Sequence, residues 1–350
     1  MIGFAFGGGG AKGAYEAGAY MALRKCHIKP DIIVGTSIGS VNAALIAQGD
    51  IKKLKDLWFN TTTDIFDINT EIVDKIKNKK FTNKDFELGF KYIKKIIKNK
   101  GIDTSKFFKI LKDNIDEEKL RKSKVKFGLV TVKIDGKAEP IEIMIDDIPE
   151  GKVAEYILAS CYLPIFKLKP IIDNKYYVDG GFYNNIPLSL AERCGCDTIY
   201  SIRIKGIGIS HNKLNKNTKV INIKPKVNLG SIILFDKDSN ERNMRLGYLD
   251  TLKVIKNLDG NKYYFKHKSY NYYLKMLRNI NKRTLNRLTV KFKAKNDKDL
   301  VIKMVENILR KEHIDNLKIY NIKKQIKFIK KNIKFEDKTE ERFFKNIKLF

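Results

Sequence analysis

A serine acts as a nucleophile where the backbone holds its hydroxyl out towards substrate and a base takes its proton. Gly35-Thr36-Ser37-Ile38-Gly39 has the residue types for the first requirement. An apolar run precedes it and a small-residue helical stretch, Ile38 to Gln48, follows, which places Ser37 on a strand-to-helix elbow. Gly35 and Gly39, two residues to either side, let strand and helix approach closely enough for the hydroxyl to project. The helix starting at Ile38 also turns its positive end towards Ser37. Upstream, Gly7-Gly8-Gly9-Gly10-Ala11-Lys12-Gly13 joins a short apolar run to a helix, so its amides can converge on an anion with no side chains in the way. In acyl transfer that anion is the tetrahedral oxyanion, and each donor fixed where the charge develops contributes about 3 kcal/mol.

A nucleotide loop is the rival reading of these glycines. Gly8, Gly10 and Gly13 satisfy the dinucleotide fingerprint, but an acidic residue should close the second strand, and that strand runs into Gly35-Thr36-Ser37 with Asp31 at its other end. A Walker-type loop needs Gly before Lys12 and Ser or Thr after it, where the chain has Ala11 and Gly13. Nucleotide binding is therefore disfavoured.

The base must come from elsewhere in the chain. His27, His211, His267 and His313 sit on a turn or among lysines and polar residues, the setting of solvated surface histidines. Asp179 is better placed, because it ends an apolar strand and Gly180-Gly181 lets the chain turn sharply, presenting a carboxylate at a sheet edge beside the elbow. Burial against apolar strand ends should raise its pKa and make it a stronger base, so that Ser37 and Asp179 work as a dyad.

These elements, in this order, resemble the patatin-like phospholipase family: Gly8-Gly9-Gly10-Ala11-Lys12-Gly13, then Gly35-Thr36-Ser37-Ile38-Gly39, then Asp179-Gly180-Gly181. The resemblance implies that Gly8, Gly9 and Gly10 supply oxyanion amides, that Ser37 is acylated and that Asp179 is the general base. Lys12 falls where the family carries Arg or Lys. Ala159-Ser160-Cys161-Tyr162-Leu163-Pro164 resembles a family segment between elbow and aspartate, although Tyr162 and Leu163 are bulkier than its usual small residues. A weaker likeness runs through Leu229 to Lys256, with Phe235-Asp236 and Gly247-Tyr248 in a closing helix.

The elements that must position these residues follow from periodicity. Strands are expected at Ile2 to Phe6, Asp31 to Val34, Val125 to Ile134, Ile141 to Ile145, Tyr176 to Val178, Asp197 to Ile204 and Val220 to Ile223. Helices are expected at Ala11 to Lys25, Ile38 to Gln48, Lys152 to Ser160 and Met244 to Asn257. Two short strands with a helix between them imply a parallel pair, hence an α/β fold with a central, mostly parallel sheet sandwiched by helices. A patatin-like catalytic domain is expected over residues 1–265, with a helical insertion at 52–122 and a basic, mainly helical extension at 266–350.

Composition bounds the rest. Of 70 basic residues only 11 are Arg, and the net charge is +30. Residues 266–350 hold 25 basic and 9 acidic side chains, net +16, against +14 for the first 265. Cys26, Cys161, Cys194 and Cys196 are too few for a disulfide scaffold, and Cys194-Gly195-Cys196 lacks the second pair of a zinc site, so reduced thiols are expected. The start shows no secretory signal and no apolar stretch reaches the roughly 18 residues of a spanning helix. A cytoplasmic protein, peripheral at the inner face of a membrane, is the expectation. In the tail, Ile319, Ile322, Ile326, Ile329 and Ile333 share one helical face, flanked by Lys323, Lys324, Lys327, Lys330, Lys331 and Lys334. Such a stripe suits docking of residues 314–350 on an anionic membrane, or else packing against the catalytic domain. Nucleic acid is a weaker partner because Arg is scarce. No acidic cluster suggests a calcium loop, and neither metal nor cofactor is expected. The expected activity is a phospholipase A type hydrolysis of phospholipid esters through a Ser37 acyl-enzyme. The alternatives are a carboxylesterase on soluble esters and a non-catalytic membrane- or nucleic-acid-binding protein.

Overall fold

Strand β1 (Ile2–Phe6) is flanked in parallel register by β2 (Ile32–Thr36) and β6 (Thr198–Ile202) in a computed structural model that describes residues 1–66, 101–206 and 208–350. Two further parallel pairings extend the sheet, β2 with β3 (Lys126–Asp135) and β6 with β7 (Lys219–Ile223). Two strands run against this direction, β4 (Lys137–Met144) and β5 (Tyr176–Asp179), both paired with β3. The order is β4-β3-β2-β1-β6-β7, with β5 paired to β3 off that path. All five residues of β2 are buried, as expected of a central parallel strand covered on both faces.

The helices of this region are α1 (Ala14–Lys25), α2 (Ile38–Ala47), α3 (Ile51–Asn60), α4 (Ser105–Asn114), α5 (Glu117–Lys122), α6 (Val153–Ser160), α7 (Gly181–Asn184), α8 (Leu188–Arg193) and α9 (Lys237–Ile255). Small residues let α2 bury all ten of its positions. Helix α3 starts where the Asp50 carboxylate accepts from Lys53 N at 2.9 Å, satisfying one of the amides a helix end leaves free. Of the expected insertion over 52–122, residues 67–100 lie outside the described residues. Helix α9 begins at Lys237, ahead of the expected Met244, because Asp236 caps it by accepting from Ser239 N at 2.9 Å.

The chain divides into two compact units, Met1–Tyr248 and Leu249–Phe350, the division falling within α9. The second unit contains a short parallel pair, β8 (Tyr264–Phe265) with β9 (Ile319–Tyr320). Its helices are α10 (Tyr270–Leu277), α11 (Lys282–Phe292), α12 (Asp297–Lys311), α13 (Ile322–Asn332) and α14 (Lys338–Asn346). Buried Glu306 on α12 accepts from three successive amides, those of Asn261, Lys262 and Tyr263, at 2.5, 2.8 and 3.0 Å.

The isoleucine stripe differs from both expectations drawn from it. Ile322, Ile326 and Ile329 are fully buried in the second unit's own core with Leu300, Val305, Phe343 and Phe344. Burying three such side chains is worth roughly 5 to 9 kcal/mol, so the face is committed to folding and is not an apolar surface for a bilayer. Ile319 is not on the helix at all. It belongs to β9, and Asn321 starts α13 by accepting from Lys323 N and Lys324 N.

Candidate active site

The register of β3 brings the two expected catalytic residues together. Strand β4 occupies one edge of β3 from Gly128 to Asp135, and β2 and β5 share the other, approaching from opposite ends. Thr36, the last residue of β2, stands opposite Val130, and Asp179, the last of β5, stands opposite Thr131. Ser37 therefore leaves the sheet where Asp179 arrives, its side chain near enough to oppose the rise in the Asp179 pKa. The contact is tight: a Cβ on Gly180 would lie 2.1 Å from Val130 O and 3.0 Å from Thr36 Cγ2.

Ser37 occupies an uncommon backbone conformation, φ 55° and ψ −132°. A non-glycine residue is held there only when its surroundings over-determine it. Its N–H donates to Ser160 Oγ at 2.9 Å, and its carbonyl accepts from Ser40 Oγ at 2.6 Å and Ser40 N at 2.8 Å. The flanking glycines are required by close approach, since a Cβ on Gly35 would lie 2.3 Å from Gly39 O and one on Gly39 would lie 2.6 Å from Phe6 O.

Asp179 is 4% exposed. Burial raises its pKa to about 6, against the opposing hydrogen bonds from Ser37 and Gly181. The Gly181 N–H donates to Oδ1 at 2.7 Å, which orients the carboxylate. Cys161 shares this environment: burial pushes its thiol well up, Asp179 pushes it further, and hydrogen bonds with Ser40 and Ser37 oppose both. A thiol held protonated is a neutral neighbour and not a competing nucleophile. No histidine is a partner of Ser37 among the described residues. His211 Nδ1 lies 2.8 Å from Tyr183 O, and His267 is paired with Asp259 in the second unit.

The glycine loop divides the three expected donors. Gly8 N–H is spent on Asn185 O at 3.0 Å, whereas Gly9 and Gly10 N–H have no hydrogen-bond partner among the described residues. Gly10 has φ 55°, and a Cβ there would fall 1.9 Å from Ile232 O, so only glycine fits. Behind the loop, Asn42 Nδ2 donates to Gly13 O at 3.0 Å and to Glu16 Oε2 at 2.9 Å, and Trp58 Nε1 donates to Asn42 Oδ1 at 2.8 Å. Lys12 Nζ donates to Lys205 O at 3.0 Å; its pKa is lowered by burial first and by the neighbouring Lys205 ammonium second. Neither ammonium has a carboxylate partner among the described salt bridges.

Sequence reasoning missed Lys205 and the loop that carries it, which contains no motif. Its proximity is visible only in three dimensions: a Cβ on Gly206 would lie 1.9 Å from Gly8 O, and Ile209 N donates to Gly181 O at 3.0 Å. Also unforeseen is a small apolar pocket of about 20 Å³ beside the elbow, lined by Ile38, Val41, Trp58, Phe107, Leu111 and Phe235 among others. Ile38 is the residue after Ser37.

A mostly parallel sheet flanked by helices, with a serine elbow and an Asp-Gly-Gly turn meeting on one strand, defines an α/β class. The patatin-like phospholipase family pattern matches residues 4–192, more than half of the chain and spanning every element just described from Phe4 to Glu192. The chain belongs to the patatin-like phospholipase family. It is similar to patatin-like phospholipase domain-containing protein 7 of Rattus norvegicus, 26% identical over 210 residues, which are 58% of this chain and 13% of that protein. Similarity to domain-containing protein 6 of Homo sapiens is 25% over 212 residues, again 58% of this chain and 13% of the relative. The chain thus matches only a small part of these longer proteins. Among solved structures, VipD from Legionella pneumophila aligns with a TM-score of 0.45 and 15% identity, over 98% of this chain and 82% of that one.

Proposed function

We propose that this chain is a phospholipase A type enzyme that hydrolyses phospholipid acyl esters through a Ser37–Asp179 dyad. The observation that carries this reading is the meeting of the Ser37 hydroxyl with a buried carboxyl whose pKa is raised to about 6, within reach of proton transfer near neutral pH. Ser37 Oγ attacks the ester carbonyl carbon as its proton passes to Asp179. The tetrahedral oxyanion forms facing the unpartnered Gly9 and Gly10 amides and the N-terminus of α2. Collapse of the intermediate breaks the ester C–O bond, and Asp179 returns the proton to the departing lysophospholipid oxygen. Water then attacks the acyl-enzyme by the same route, giving a fatty acid and free Ser37. In this assignment Gly8 shapes the loop and does not donate, because Asn185 already occupies its N–H.

One feature favours a phospholipid over a neutral ester. The Lys12 and Lys205 ammonium groups, without a carboxylate partner among the described residues, suit an anionic head group beside the glycine loop. The catalytic role belongs to the first unit. The second unit, with 28 basic and 11 acidic side chains, is proposed as an accessory attracted to anionic lipid by charge alone, its isoleucines being internal. Among the described residues no helix is long and apolar enough to cross a membrane. The test is product analysis from anionic phosphatidylglycerol vesicles beside a short soluble ester. Free fatty acid and lysophospholipid are expected from the vesicles; cleavage of the soluble ester alone contradicts the proposal.

A further inference from the structure

We infer that Ser160 is a positioning residue that sets the backbone of Ser37 and Asp179 relative to each other, an inference that rests on the dyad proposed above. Ser160 is fully buried at the C-terminal end of α6, and both its hydroxyl and its carbonyl are bonded to elements of the site. Its hydroxyl donates to Val130 O at 2.6 Å and accepts from Ser37 N at 2.9 Å. Its own carbonyl accepts from Gly180 N at 3.2 Å, and two residues on, Tyr162 O accepts from Asp179 N at 2.9 Å. One turn of chain therefore grips the elbow by a side chain and the aspartate turn by its main chain, while bonded to the strand on which both converge.

The chemistry of a serine is specific to this position. The hydroxyl must donate and accept at once, because the Val130 carbonyl fixes the direction of its proton and leaves a lone pair for the Ser37 amide. That amide belongs to the residue with φ 55°, so the bond from Ser160 and those from Ser40 are what hold the uncommon conformation at its two ends. Without the hydroxyl, a buried N–H and a buried C=O both lose a partner, and the elbow relieves this by turning Ser37. Rotation of Ser37 carries Oγ off the line to Asp179, a displacement that reaction geometry penalises steeply.

The test compares Ser160→Ala and Ser160→Cys with Ser201→Ala, which removes an equally buried hydroxyl from β6, and with Ser37→Ala, using a short soluble ester and a fluorophosphonate probe. Ser160→Ala is expected to lower kcat and the labelling rate by about 30-fold or more with KM within about threefold. Ser160→Cys, of similar size but a weaker hydrogen-bonding group, should fall between wild type and Ala, and it carries the test if the Ala variant does not fold. Ser201→Ala should lose melting temperature and keep kcat. The inference is overturned if the folded Ser160 variants keep kcat within about threefold, if their loss lies in KM alone, or if Ser201→Ala loses as much kcat. Activity surviving in Ser37→Ala overturns the dyad itself; a dead Ser37→Ala beside an active Ser160→Ala overturns only the role of Ser160.

Discussion

Replacing Asp179 with asparagine should stabilise the first unit at neutral pH while abolishing turnover. The carboxyl is held at about 6 against an ordinary 3.8, chiefly by burial, so between those values the folded chain keeps a proton that the unfolded chain has released. Stability from this group is fully present below about pH 3.8 and declines as pH rises through 6. Roughly two pKa units at 1.36 kcal/mol each make the loss about 3 kcal/mol above pH 7. Asparagine carries no charge, keeps an oxygen for the Gly181 N–H and escapes that loss. The stability difference between Asp179→Asn and wild type should therefore widen by about 2 kcal/mol from pH 4.5 to pH 8. For a unit of this size that is about 4–8 °C in Tm. Trp58, the sole tryptophan, is 1% exposed in the first unit, and its fluorescence reports melting there without interference from the second. Equal differences at the two pH values would refute the buried, raised carboxyl. Turnover should fall about a thousandfold or more at every pH.

Gly10→Ala should lower kcat by about a hundredfold or more and depress the melt, because its Cβ would meet Ile232 O at 1.9 Å in a φ 55° conformation; kinetics beside circular dichroism check it. Lys12→Gln and Lys205→Gln should each reduce the ratio of activity on anionic vesicles to that on a soluble ester by about fivefold, the value of roughly 1 kcal/mol per lysine near an anionic surface. That ratio should converge on the wild-type value at high salt as screening removes the lysine contribution. Ile326→Ala should cost the second unit about 2–5 kcal/mol, measured by hydrogen exchange of α13, and an unchanged protection pattern would return the stripe to the surface.

What was legible in the sequence was local. The strand, glycine loop and elbow lie within the first 47 residues, and Asp179-Gly180-Gly181 announces its own turn, so types and order sufficed for the family and the sheet. Less legible was whatever depends on partners far along the chain. Gly8 and Asn185 are 177 residues apart, and nothing in a run of glycines says which amide is already taken. Ser160 looked like a small residue before a proline because its role lies in two hydrogen bonds to other elements. The start of α9 was hidden by Asn240 and Asn243, which are buried and bonded to the Trp58, Thr61 and Leu229 carbonyls and so break the apolar period that marks a helix. In the tail the periodicity of α13 was readable, but an amphipathic pattern states only that a face is covered, not by what.

The central claim is that Ser37 carries the acyl group with Asp179 as its base. Labelling the intact chain with a fluorophosphonate, followed by peptide mapping, tests it most directly. A single adduct on Ser37 is predicted, forming in wild type and slowed by about a thousandfold in Asp179→Asn. An adduct on another residue, or undiminished labelling of Ser37 without Asp179, would contradict it.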